Sequence, residues 1–133
     1  MALHWEVFRG GPTRPENQAL SVTINYKNVL TFNKYTAKQL GNPEAVLLMF
    51  EKKESLIGIV PSNMREKDAF PLKPKSGAMN YIVHAAPFCR HHNIMIERTE
   101  RFDHPEIDDE GILRLDLKNT HDVSNRRKPP RKT

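Results

Sequence analysis

The stretch NVLTFNKYTAKQLG, residues 28–41, constrains the fold more than any other part of the chain. Val29, Leu30, Thr31 and Phe32 are β-branched or large apolar residues of the kind that fits a half-buried strand. Asn33 follows, and its side-chain oxygen can accept from the free amides at the start of a helix. Lys34 to Leu40 reads as a helix of two turns, and Gly41 takes the left-handed position that closes it. Pro43 stops any continuation. A helix this short is marginal alone in water, so Ala37 and Leu40, three apart on one face, must pack on a sheet.

The flanks supply that sheet. Val22, Ile24 and Tyr26 alternate with polar residues, and Lys27-Asn28 offers a hairpin turn because Asn tolerates positive φ. Ala45 to Glu51 is a nearly continuous apolar run and reads as a strand buried on both faces. KKES turns the chain, and Leu56 to Val60 returns antiparallel. His4 to Phe8 alternates with period two and reads as a further strand, ended by Gly10, Gly11 and Pro12. Ala69 to Lys73 reads as a strand inside a proline-containing connector. A fainter copy of the first unit follows. Asn80 to Val83 is its strand, Pro87 opens a helix through FCRHH, and Asn93 closes it, aligned with either Gly41 or Asn42. Residues 94–102 and 112–117 alternate as two more strands.

The expected fold class is α+β: antiparallel β-hairpins with short helices, in two pseudo-repeated β-β-α-β-β units around one core. Its expected divisions are 1–62 for the first unit with an N-terminal strand, 63–79 for the connector, 80–117 for the second unit and 118–133 for a basic disordered tail. Trp5, Val22, Ile24, Leu30, Phe32, Leu47, Met49, Ile57 and Ile59 are expected to line the first half of the core. Ile82, Phe88, Ile96, Leu113 and Leu115 are expected to line the second. Exposed hairpin edges favour a homodimer.

A chain of 133 residues suits one compact domain or two small packed units. No apolar run approaches bilayer length, the N-terminus lacks the basic-then-apolar build of a signal peptide, and a single cysteine, Cys89, cannot form an internal disulfide. The expected location is cytoplasmic, with no membrane partner. The net charge is +5, and the tail RRKPPRK, residues 126–132, accounts for all of it. Residues 1–79 hold 11 basic and 7 acidic groups, whereas residues 80–117 hold 4 and 8. An anion-binding face therefore belongs on the first half or the tail.

The first unit resembles the swapped-hairpin domain of AbrB-type transcription regulators, and the doubling is similar to the tandem arrangement of MraZ proteins. That pattern has a turn glycine, a strand ending in Ile-Pro, a short helix closing on Leu-Gly and a final strand pair. Here Asn28 stands for the turn glycine, Leu30 and Phe32 for the strand apolars, Asn33 for the proline, and Leu40-Gly41 for the closing pair. Val46 to Phe50 and Leu56 to Val60 fill the final hairpin. The proline and turn glycine are missing, the central basic helix position is Ala37, and His91 or His92 stands where the second copy should repeat Leu40. The resemblance covers residues 20–62 and, more loosely, 69–117. It implies an interleaved dimer or pseudo-dimer, with DNA held by Lys27, Lys34 and Lys38 around the first hairpin.

Duplex DNA binding asks for cations on phosphates and a few polar groups at base edges. Lys27, Asn28, Lys34 and Lys38 form one candidate patch, with Asn25 and Asn33 as readers; the plain alternative is a solvated surface with ordinary lysines. Arg126, Arg127, Lys128, Arg131 and Lys132 form a second candidate, for which a solubilising end is the plain alternative. His84, Cys89, His91, His92 and His104 are the soft-ligand residues, but their spacing matches no zinc signature, and Cys89 reads as a small core residue. Histidines 91 and 92, adjacent on a helix, should point apart, so only His92 or the distant His84 could activate Cys89, and no oxyanion site is evident. The acidic run Glu106, Asp108, Asp109 and Glu110 lacks the oxygen spacing of a calcium loop, and no glycine loop cradles phosphate. The expected function is a non-enzymatic DNA-binding regulator acting as a dimer, with no cofactor, no metal and no small-molecule substrate. Its rival is a protein-interaction or assembly module whose oppositely charged halves meet across subunits.

Overall fold

The structure is a computed structural model that describes residues 3–7, 19–75 and 80–124. Strands β1 (Val22–Ile24) and β2 (Val29–Asn33) form the first hairpin. Two asparagines set its turn: the Asn25 side-chain oxygen accepts from the Lys27 and Val29 amides, both at 3.0 Å, and Asn28 takes a φ of 62°. Asn33 ends β2 and caps α1 (Lys34–Gln39), accepting from the Thr36 amide at 2.9 Å. At the far end of α1 the Asn42 amide donates to the Ala37 carbonyl at 2.8 Å, and Gly41, at φ 89°, donates to the Lys38 carbonyl at 2.9 Å. These two bonds satisfy carbonyls that the helix itself leaves open. Thr36, Ala37 and Leu40 bury the inner side of α1, and the Thr36 hydroxyl oxygen accepts from the Ser21 amide at 2.9 Å.

Strands β3 (Ala45–Glu51) and β4 (Leu56–Ser62) pair along their whole length. β5 (Phe70–Pro71) pairs with β3, whereas β6 (Lys73–Pro74) pairs with β7 (Asn80–His84), so the chain changes sheets at buried Leu72. α2 (Ala86–His91) has Pro87 in its first turn. It closes as α1 does: Ile94 donates to the Cys89 carbonyl at 2.9 Å, and Asn93, at φ 56°, donates to the Arg90 carbonyl at 3.3 Å. β8 (Glu100–Phe102), β9 (Glu106–Ile107), β10 (Leu113–Asp116) and β11 (Thr120–Asp122) complete the chain.

The strands form a six-stranded sheet, β11-β8-β1-β2-β7-β6, and a five-stranded sheet, β5-β3-β4-β10-β9. All pairings are antiparallel. One core joins the sheets: Val22, Ile24, Leu30, Phe32, Val83 and Phe102 come from the first, and Val46, Ile57, Ile59, Leu113 and Leu115 from the second. The class is α+β, as expected from the alternating runs and the short capped helix.

Several expected details differ. Residues 3–7 form no strand, and Trp5 is 88% exposed instead of lining the core. Alternation gives a segment an apolar face, but a strand also needs a neighbour to bond, and among the described residues 3–7 have none. β3 is fully buried only at Ala45 and Val46, with Leu47 half-buried and Met49 exposed, because one side of its sheet meets solvent. In β7 the core residue is Val83 and not Ile82, since Val83 lies opposite Leu30 and shares its inward direction. The strand expected over 94–102 begins only at Glu100, so Phe102 enters the core while Ile96 is partly buried. The expected strand at 69–73 is split between two sheets at Leu72. Residues 120–122, assigned to the tail by composition, pair with β8 as β11.

Candidate nucleic-acid interface

Lys34 and Lys38 are exposed and four apart on α1, hence on one side of it. Asn33, just before Lys34, lies opposite Asn80 of β7, and the Asn80 carbonyl accepts from the Lys75 amide at 2.8 Å. The start of α1 and the end of β6 are thus two strand spacings apart, about 10 Å. Lys73 and Lys75 are exposed there too. Lys34, Lys38, Lys73 and Lys75 therefore gather at one end of the six-stranded sheet. Among the described residues none of the four makes an ion pair.

Lys27 lies elsewhere. Asn28 and the five residues of β2 separate it from Lys34, β2 alone spanning about 17 Å, and its ammonium sits 5.8 Å from the Tyr26 ring centroid. That end adjoins α2, because the Ala85 amide donates to the Asn28 carbonyl at 2.9 Å. The lysines read together from sequence thus occupy two ends of one strand. The asparagines have structural tasks. Asn33 caps α1 through its oxygen and donates through Nδ2 to the Ala19 carbonyl at 2.7 Å. Asn25 and Asn28 build the hairpin turn, and the Asn28 side-chain oxygen is buried. Arg126, Arg127, Lys128, Arg131 and Lys132 lie outside the described residues. Sequence reasoning passed over Lys73 and Lys75. Their signal was the Lys-Pro-Lys run in the connector, but only the β6–β7 pairing brings it to α1.

The soft-ligand residues do not converge: among the described residues no group of three or more His, Cys, Asp or Glu side chains could hold a metal ion. Cys89 is buried, and burial pushes its thiol up to about 11, which leaves almost no thiolate near neutrality. His92 packs on Phe50 and Phe88, with ring centroids 4.8 and 4.9 Å away. Desolvation, followed by the charges of His91 and Lys52, lowers its pKa from the ordinary histidine value. The rings of His91 and His92 meet at 4.7 Å, instead of pointing apart, because His92 is the C-cap (φ −99°, ψ 9°) and has left the helical spiral. Asp108 builds a turn, its side chain accepting from the Glu110 and Ile112 amides at 2.9 and 3.0 Å. Among the described residues no helix is long and apolar enough to cross a membrane.

These features define an α+β chain with a cationic sheet end and with its asparagines, cysteine and acidic loop engaged in structure. Compared with known proteins, the chain matches no family model, no curated protein and no solved structure.

Proposed function

We propose that the protein is a small non-enzymatic duplex-DNA-binding protein, a transcription regulator in the AbrB-like manner, acting as a dimer. The observation that carries this reading is the group Lys34, Lys38, Lys73 and Lys75, four exposed cations without ion-pair partners among the described residues at one end of a sheet. Such a group suits a run of phosphates, since each neutralised phosphate releases a counterion and strengthens binding at low salt. Alanine at all four positions should lower the slope of log affinity against log salt by about 3 to 4. The measurement is fluorescence anisotropy on a duplex across a salt series. An unchanged slope sinks the reading.

The AbrB-like part of the proposal requires residues 20–62 and 69–117 to be copies of one unit. Three observations favour it: the order β1-β2-β7-β6 runs outward alike from the β2–β7 pair, β2 and β7 each lead into a short helix, and both helices close with the same two bonds. Fragments 1–62 and 63–133 should then associate when expressed together. Two separately folded monomers would end that idea.

A second reading, a self-associating assembly module, is favoured by a specific observation. Leu3, Trp5, Val7 and Met95 are large apolar residues left in solvent. A monomer at all concentrations in equilibrium sedimentation would remove it.

A further inference from the structure

Two segments of the chain, one alternating apolar with polar side chains and one alternating inward with outward side chains, have no strand partner among the described residues. In the first, Leu3, Trp5 and Val7 are exposed and two apart, with His4 and Glu6 between them. In the second, after the closure of α2, Ile94 is buried, Met95 is 84% exposed, Ile96 is half-buried and Glu97 is exposed. Among the described residues, neither Leu3 to Val7 nor Met95 to Glu97 makes a backbone hydrogen bond. A row of unpaired amides and carbonyls is a template for an incoming strand.

A groove of about 420 Å³ lies beside the second segment, lined by Phe50, Lys52, His92, Ile94, Ile96 and Leu117 among others. The Phe50 and His92 rings, tilted 43° to each other, give an otherwise largely polar groove one aromatic side on which an indole can pack.

We propose that residues 3–7 of one copy pair with residues 95–97 of a second copy and set Trp5 in that copy's groove, the exchange being reciprocal. This rests on the self-association reading above. The occupant is a second copy because each chain carries both halves of the match, and in the single chain Trp5 stays in solvent. A two-fold pair joins both halves at once, with the same patches used on each subunit. The size fits as well. Trp5 offers about 200 Å², so two arms and the two grooves that face them bury about 600 Å², and Leu3 and Val7 of both copies carry the total toward the roughly 1,000 Å² of a specific interface.

Trp5 is the sole tryptophan, so its emission reports on the arm alone. In the full chain that emission shifts to the blue as concentration rises, in step with dimer measured by light scattering. Met95→Pro, which removes a backbone donor used only by the incoming strand, abolishes both changes. Trp5→Ala abolishes the dimer while leaving the circular dichroism and the melting midpoint of the dilute protein unaltered. A dimer whose Trp5 emission stays solvent-like overturns the exchange and leaves self-association through another surface standing. A monomer at every concentration overturns both. Emission already blue in the most dilute sample, and independent of concentration, places the arm on its own chain and overturns the exchange.

Discussion

Asn33 holds the strand-to-helix corner through both ends of its amide. Its oxygen caps α1 and its nitrogen reaches back to the Ala19 carbonyl. Loss of the cap costs about 1 kcal/mol, and loss of the second bond about 1 more, so Asn33→Ala should lower unfolding free energy by about 2 kcal/mol in urea titration. Asn33→Asp keeps the accepting oxygen and should lose about half as much. Equal losses in the two variants would contradict the capping role. Cys89 shows the opposite use of a polar atom, one kept out of water. With its thiol raised to about 11, the native protein at pH 8 should resist a disulfide reagent that labels the urea-unfolded chain at once. Because the unfolded thiol ionises first, stability should fall as pH climbs from the ordinary thiol range toward 11. Rapid labelling of the native protein would refute the burial.

The two helices show what is legible in the sequence at the level of elements. Asn33 and Gly41 mark both ends of α1 in the sequence alone, since capping is a local exchange of hydrogen bonds between residues close along the chain. α2 has no side-chain cap at its start and is marked there by Pro87 alone, while its closing bonds align Asn93 with Gly41. What local rules do not reach is partnership. Val83 displaces Ile82 from the core because β2, fifty residues away, sets the parity of β7. Lys73 and Lys75 read as connector charges unless β6 is known to join β7. The alternation at residues 3–7 is real as a pattern but has no neighbour among the described residues of the chain. At Asn93 the left-handed backbone, φ 56°, yields an element-level prediction. Asn93→Ala should destabilise by about 1 kcal/mol, because a Cβ-bearing residue without a local polar group is disfavoured there. Asn93→Gly should be neutral or better in the same chemical denaturation. A loss on Asn93→Gly as large as that on Asn93→Ala would show that the side chain, and not φ, closes α2.

For the whole molecule, the distribution of charge decides between a specific DNA surface and a merely basic chain. The cations at the end of the six-stranded sheet stand apart from the acidic turn Asp108, Asp109 and Glu110, which joins two strands of the other sheet. Net charge cannot distinguish that surface from the tail, because residues 126–132 alone carry five of the positive charges. Removing residues 126–133 separates them. If the sheet end binds phosphates, the shortened protein should still bind duplex DNA, with a salt slope near −3.6 for four contacts at about −0.9 each. The full chain should be steeper by whatever the tail adds. Combining the truncation with Lys34→Ala and Lys38→Ala should halve the remaining slope, since Lys73 and Lys75 stay in place. Complete loss of binding on truncation alone would mean that the basic tail supplied all the affinity, and the regulator reading would then fail while the self-association of the arm remained open to its own test.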